Sequence, residues 1–146
     1  MEASLQEILD AREARAQKQQ ALLSQYGKSL LLFTMNIPGP CKHDRDVDIG
    51  FSVGNWLLWD ALNDYPVLYR EIERKHTGCE AWYVVDMPPK QLKQLAVELE
   101  QIHPIGRLFD MDVLTPQGQK LDRESMGLAR RSCADCGKTE EKLLTY

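Results

Sequence analysis

Two acidic residues interrupt an otherwise apolar run in the segment His103–Pro116, HPIGRLFDMDVLTP. Successive side chains of a β-strand point to opposite faces, so Asp110 and Asp112 are predicted to share one face with Leu108 and Leu114. Carboxylates about 7 Å apart on one face repel each other unless a cation lies between them. Mg²⁺ prefers one or two carboxylates together with water and phosphate oxygens. The pair therefore predicts a magnesium site that holds a polyphosphate, with solvated acids on an exposed strand as the alternative.

Three basic residues are candidates for contacts with such a phosphate chain. Lys42 follows the loop NIPGPC, Arg107 precedes the two acids, and Arg123 follows the turn after them. Strict alternation places Arg107 on the face opposite the acids unless the strand begins later in the sequence. For Lys42 and Arg123, simple solvation at the surface is the alternative.

Composition excludes several classes of protein. The chain has 146 residues, 43% of them apolar and 27% charged, which is a normal mixture for one globular domain. The net charge is -4, with acids and bases interleaved, so a surface that tracks duplex nucleic acid is not expected. Uninterrupted apolar runs such as Leu30–Phe33 are far too short to cross a membrane. The acidic N-terminus does not resemble a secretory signal, so we expect a cytoplasmic protein.

Four cysteines raise the question of a disulfide or a metal site. Cys133 and Cys136 form a C-x-x-C pair, which in a reducing compartment indicates a metal or redox pair, or simply small side chains. Two ligands do not complete a zinc site. We therefore predict neither a stable disulfide nor a full zinc site, unless another donor folds close to the pair: Cys41, Cys79, His43 or His76.

The N-terminal residues 4–26 are predicted to form a helix. Ser4 and Glu7 have the spacing of a capping box, and Gly27 follows as a C-cap. Apolar residues are sparse in the middle of this helix, so its centre is expected to be solvated. The apolar run Ser29–Met35 predicts a strand that is covered on both faces.

The remaining pattern predicts an α+β fold. The predicted elements are a helix from Asp46 to Asp64, a hairpin of strands Val67–Arg74 and Cys79–Asp86, a helix from Pro89 to Ile102, a strand Arg107–Thr115 and a short extended return at 119–121. The order β-α-β-β-α-β is that of the split βαβ arrangement: a four-stranded, mostly antiparallel sheet with two helices on one face. We expect one domain, with an N-terminal helix (1–28), a core (29–122) and a C-x-x-C tail (123–146).

Three segments together resemble a known family. HPIGRLFDMDVLTPQGQKLDR, LLLFTMNIPGPCK and RRSCADC are similar to the apo-citrate lyase phosphoribosyl-dephospho-CoA transferase family, also called the holo-acyl-carrier-protein synthase of citrate lyase. The resemblance spans about Asp10 to Cys136. It implies transfer of phosphoribosyl-dephospho-CoA from its triphosphoribosyl precursor to a serine of the citrate lyase acyl carrier protein subunit, with release of pyrophosphate.

The resemblance also implies roles for particular residues. Asp110 and Asp112 correspond to a D-x-D pair on which the related synthase of malonate decarboxylase is thought to depend, so they are the expected catalytic and Mg²⁺-binding residues. The carrier protein is expected to dock on the sheet face that the two core helices leave open, beside Leu108 and Leu114.

The sequence departs from the family pattern in two places. Leu143 stands where we expect a third cysteine, and the Gly-Ser motif of nucleotidyltransferases is absent ahead of the acids. Either the tail is truncated, or this variant has lost the element that carries the third cysteine. A carrier-binding adaptor or degenerate paralogue without catalytic activity is therefore the alternative function.

Overall fold

A computed structural model describes residues 3–37, 41–124 and 127, and these form an α+β fold as predicted. The three helices are α1 (Leu5–Tyr26), α2 (Arg45–Ala61) and α3 (Pro89–Ile102), and a short 3-10 helix spans Pro104–Leu108. The strands are β1 (Ser29–Met35), β2 (Val67–Lys75), β3 (Gly78–Val85), β4 (Phe109–Leu114) and β5 (Lys120–Leu121). Within the described residues, no helix is long and apolar enough to cross a bilayer. The cytoplasmic location stays a prediction.

The five strands form one antiparallel sheet with the order β2-β3-β1-β4-β5. The first four strands have the split βαβ order, and the two-residue β5 is the predicted extended return. Strand β1 lies in the middle, paired with β3 on one side and β4 on the other. Its first five residues are buried, which confirms that this strand is covered on both faces.

One face of the sheet packs against α2 and α3. Phe33 of β1 stacks on Phe51 of α2 with ring centroids 5.0 Å apart, and meets the edge of Phe109 at 5.3 Å. Met111 and Val113 of β4 belong to the same core, so the alternation expected for this strand is confirmed. This core fixes β4 on the face that α2 and α3 cover, and leaves Asp110 and Asp112 on the other face.

The opposite face is not open, which corrects one expectation. Leu22 and Leu23 of α1 pack on Leu30, Trp82 and Leu114 of that face. Leu114 is only 6% exposed, so it belongs to a second core and offers no docking surface for a carrier protein. The predicted open face is wrong because the last turns of α1 carry enough apolar surface to cover it.

The centre of α1 also packs on the sheet, although a solvated centre was expected. Arg15 lies 3.2 Å from the carboxylate of Glu80 on β3, and Lys18 forms ion pairs with Glu71 and Glu73 on β2. Hydrogen bonds from Lys18 and then Lys75 hold the pKa of Glu73 below its usual value. Ion pairs thus replace apolar contacts in the middle of the helix.

The strand bearing the acids begins two residues later than predicted. Arg107 and Leu108 lie in the 3-10 helix, whose first turn is capped by His103 through a hydrogen bond of 3.2 Å from the Ile105 amide to Nδ1. Leu108 therefore does not share the strand face with the acids. Helix α2 spans Arg45–Ala61 rather than Asp46–Asp64, while α3 has the bounds that the sequence predicts.

We expect Gly54→Ala to lower the free energy of unfolding by about 1–2 kcal/mol, after the gain in helix propensity is counted. A Cβ at this position would lie 2.4 Å from Cζ of Phe33, whose ring is held between two other aromatic rings. The control is Gly50→Ala in the same helix, where the nearest atom is the flexible Met35 Cε at 3.0 Å. Urea unfolding of both variants is the measurement, and a Gly54 variant as stable as the Gly50 variant would contradict the packing argument.

Candidate active site

A cavity of about 370 Å³ lies between α1 and the sheet face that α1 covers. Its walls come from α1, from the end of β1 and the residues after it, from the start of β3, and from β4 and β5. Both Asp110 and Asp112 line it. The structure therefore places the two acids predicted from the sequence at the wall of a cavity instead of on an open strand.

The sheet register determines where the two carboxylates lie. Asp110 is paired with Thr34 and Asp112 with Leu32, so both acids stand directly beside the central strand. Both are half-buried, and Lys120 of β5 lies 3.2 Å from Oδ1 of Asp112. Carboxylates next to each other on a rigid strand, at the wall of a cavity, form a hard oxygen donor pair.

Lys42 is the predicted phosphate contact that the structure does bring to this cavity. Its Nζ donates a hydrogen bond of 2.6 Å to the carbonyl oxygen of Ile37. Burial, and then the positive charge of Arg12, lower the pKa of Lys42 from its ordinary value. Lys42 is thus a partly desolvated cation held in place beside the cavity.

Two arginines of α1 also line the cavity, and the sequence analysis missed them. Arg12 and Arg15 continue, at helical spacing, the stripe that Ile8 and Ala11 begin at the buried side of α1. That i, i+3, i+4, i+7 spacing was the available signal. Charged side chains in the middle of a helix usually face water, and the acid that Arg15 meets, Glu80, comes close to it only through the pairing of the strands.

Arg15 has a structural partner of its own. It lies 3.2 Å from Glu80, whose side chain is 3% exposed and also accepts a hydrogen bond from Nε1 of Trp82. A buried carboxylate is stable only when it is paired, so this contact attaches the middle of α1 to the sheet.

The other two predicted phosphate contacts lie away from the cavity. Arg107 is exposed on the 3-10 helix. Arg123 lies 2.6 Å from Glu100 of α3, and Glu100 also accepts a hydrogen bond from the amide of Met111. The pair Arg123–Glu100 therefore belongs to the α3 side of the sheet, and neither arginine lines the described cavity.

A separate group of donor atoms lies at the start of α2. His43, Asp48 and Cys79 offer an imidazole, a carboxylate and a thiol within 4.8 Å of one another. Burial, followed by the charge of Asp48, raises the pKa of Cys79 to about 11, and Arg74 donates to Asp48 at 2.8 Å. The thiol is thus protonated at neutral pH. The C-x-x-C residues Cys133 and Cys136 lie outside the described residues, so the predictions about them stay predictions.

A comparison with protein families bears on the function of this cavity. The family model described as apo-citrate lyase phosphoribosyl-dephospho-CoA transferase matches residues 3–142, which include both acids and every cationic residue of the cavity. The chain belongs to the apo-citrate lyase phosphoribosyl-dephospho-CoA transferase family. The resemblance inferred from the sequence is confirmed, and this family is one of enzymes.

Individual relatives agree with the family match. The chain is 38% identical over 139 residues to Protein CitXG of Haemophilus influenzae, which covers 92% of the chain but 30% of that longer protein. It is 37% identical over 138 residues to the probable apo-citrate lyase phosphoribosyl-dephospho-CoA transferase of Streptococcus pyogenes, covering 92% of the chain and 72% of the relative. A transferase of the same name from Citrobacter koseri is 33% identical over 135 residues, covering 91% and 74%.

We expect Arg123→Met to lower the free energy of unfolding by about 3 kcal/mol, because it removes the guanidinium that lies 2.6 Å from the Glu100 carboxylate, which is 4% exposed. The matched control is Arg107→Met, for which a change below about 0.5 kcal/mol is expected at an exposed site. Urea unfolding measures both. Adding Glu100→Gln to the Arg123 variant should recover part of the lost free energy of unfolding. If nothing is recovered, the broken ion pair is not the cause of the destabilisation.

Proposed function

We propose that this chain transfers phosphoribosyl-dephospho-CoA from triphosphoribosyl-dephospho-CoA to a serine of the citrate lyase acyl carrier protein subunit, and releases pyrophosphate. The observation that carries the proposal is that Asp110 and Asp112 face a cavity that Lys42 also lines. This is the combination of groups that a triphosphate and its divalent cation require. The names of the family and of its Streptococcus and Citrobacter members support the choice of substrates.

The two carboxylates fit a magnesium ion. Mg²⁺ is commonly held by one or two carboxylates, and takes its other ligands from water and from substrate phosphates. Asp110 and Asp112 supply such a pair of hard oxygen donors at the cavity wall, half-buried and on adjacent positions of one strand face. When bound there, the ion would neutralise negative charge on the phosphates. Lys120, 3.2 Å from Asp112, now balances part of the charge of this pair.

The transfer itself needs no nucleophile from this chain. The carrier serine Oγ forms a bond to the phosphorus nearest the ribose, and the bond from that phosphorus to the bridging oxygen breaks, so that the electron pair leaves with pyrophosphate. One of the two aspartates accepts the serine proton. Lys42 binds the phosphate oxygens and stabilises the charge that gathers on the leaving group. The rigid pairing of β4 with β1 keeps these groups in a fixed geometry.

We expect Asp110→Asn and Asp112→Asn each to lower the transfer rate by about 10²-fold or more, because each change removes a charged metal ligand and little volume. Transfer to the apo carrier protein, followed by intact mass with and without Mg²⁺, is the measurement. Asp60→Asn is the control, since Asp60 is an exposed acid of α2 that does not line the cavity.

Melting temperatures close to that of the wild type would show that the Asn variants are folded. Transfer at the wild-type rate in either folded variant would contradict the metal site. Binding of the carrier without any transfer by the wild-type chain would favour the adaptor function instead.

A further inference from the structure

We propose that α1 forms one wall of a polyphosphate-binding site, in which Arg12 and Lys42 bind the phosphate groups of the ligand. Nothing in the names of the family or its members assigns a binding role to this helix. The identity of the ligand as the triphosphate of the donor substrate rests on the proposed function. The anion site itself rests on the charges and geometry of the cavity.

The first argument is the charge of the cavity wall. Among the described residues that line it, the cationic side chains are Arg12, Arg15, Lys42 and Lys120, against the two carboxylates of Asp110 and Asp112. Arg15 is paired with Glu80 outside the lining, so three positive charges remain against two negative ones, and this excess attracts anions. Binding of a divalent cation by the carboxylates would increase the excess, so the favoured ligand carries several negative charges.

The second argument is that Arg12 and Lys42, which both line the cavity, lie near each other. Burial, and then the positive charge of Arg12, disfavour the charged form of Lys42. A ligand with several negative charges that lies beside both cations is attracted by both.

The third argument is the chemistry of the two side chains. A guanidinium presents several N–H donors in a planar fork that matches two phosphate oxygens, whereas an ammonium acts as a compact point charge. Arg12 comes from the helix and Lys42 from the segment after β1, so they approach a ligand from different elements. Arg15 is a positioning residue, because its contact with the buried Glu80 fixes the part of α1 from which Arg12 projects.

The test uses inorganic triphosphate as the probe, titrated into the full chain by calorimetry with and without Mg²⁺. We expect Arg12→Met to weaken binding about tenfold or more, since it removes charge-assisted hydrogen bonds. Arg12→Lys should recover part of the affinity. The matched control is Lys28→Met, which removes one positive charge just after the same helix, at an exposed residue that does not line the cavity. We expect its affinity to stay within about twofold of the wild type.

Lys42→Met provides a second variant on a different element, should the Arg12 variants unfold. Unchanged triphosphate affinity in the folded Arg12→Met or Lys42→Met variant would overturn the proposal. An equal loss of affinity in Lys28→Met would also overturn it, because that result indicates general attraction to the positive charges of the chain.

Kinetics with the donor substrate separates this inference from the proposed function. If the chain transfers the group, Arg12→Met should raise KM for the donor, and Arg12→Lys should lower it again. Arg12-dependent binding of triphosphate by a chain that shows no transfer would support the anion site and reject the transfer reaction. Transfer by Arg12→Met with an unchanged KM for the donor would support the transfer reaction and reject the anion site.

Discussion

The burial of Glu80 is the constraint on which the arrangement of the site depends. Its side chain is 3% exposed on the sheet face that also carries Asp110, and a carboxylate in that position must have a cation. Arg15 supplies the cation from α1, while Leu22 and Leu23 attach the end of the same helix through apolar contacts. With α1 held in both ways, the space beside the acids becomes a cavity rather than an open surface.

Position in the sheet gives the two acids their rigidity. Strand β1 is buried on both faces and pairs along its length with β3 and β4. On the α2 and α3 side, Phe109, Met111 and Val113 anchor β4 in the larger core. The acids alternate with these anchors, so the same strand is apolar toward the core and acidic toward the cavity. A strand that is packed in this way holds its side chains in a fixed geometry, which a reaction that needs aligned groups requires.

Sequence patterns were sufficient for the parts of this fold that depend on local periodicity. The capping box of Ser4 and Glu7, the hairpin and the alternation around Asp110 and Asp112 all follow from spacing along the chain, and the structure has each of them. The position of α1 could not be predicted in this way. Its central cations have partners on β2 and β3, between about 50 and 65 residues away, and only the strand register places those partners on one face.

The same limit applies to the individual site residues. Lys42 and Arg123 were both predicted to contact phosphate because each follows a loop or turn. Lys42 lines the cavity, whereas Arg123 lies against Glu100 on the other side of the sheet. A basic residue near a motif does not show which acid it will meet, because the partner is chosen by tertiary packing. Arg12 was overlooked for the complementary reason: it lies far from the motif in sequence and beside it in space.

In α1, the residues that shape the cavity differ in part from the residues that hold the helix on the sheet. Ala16 and Gln19 line the cavity and belong to neither apolar cluster. Other parts of the helix hold it on the sheet: Arg15, Lys18 and the apolar last turns. Larger or smaller side chains at these two positions would change the shape of the cavity while leaving the cores untouched. Substitutions at these two positions are therefore a route to the binding of other ligands that requires no change in the packing of the cores.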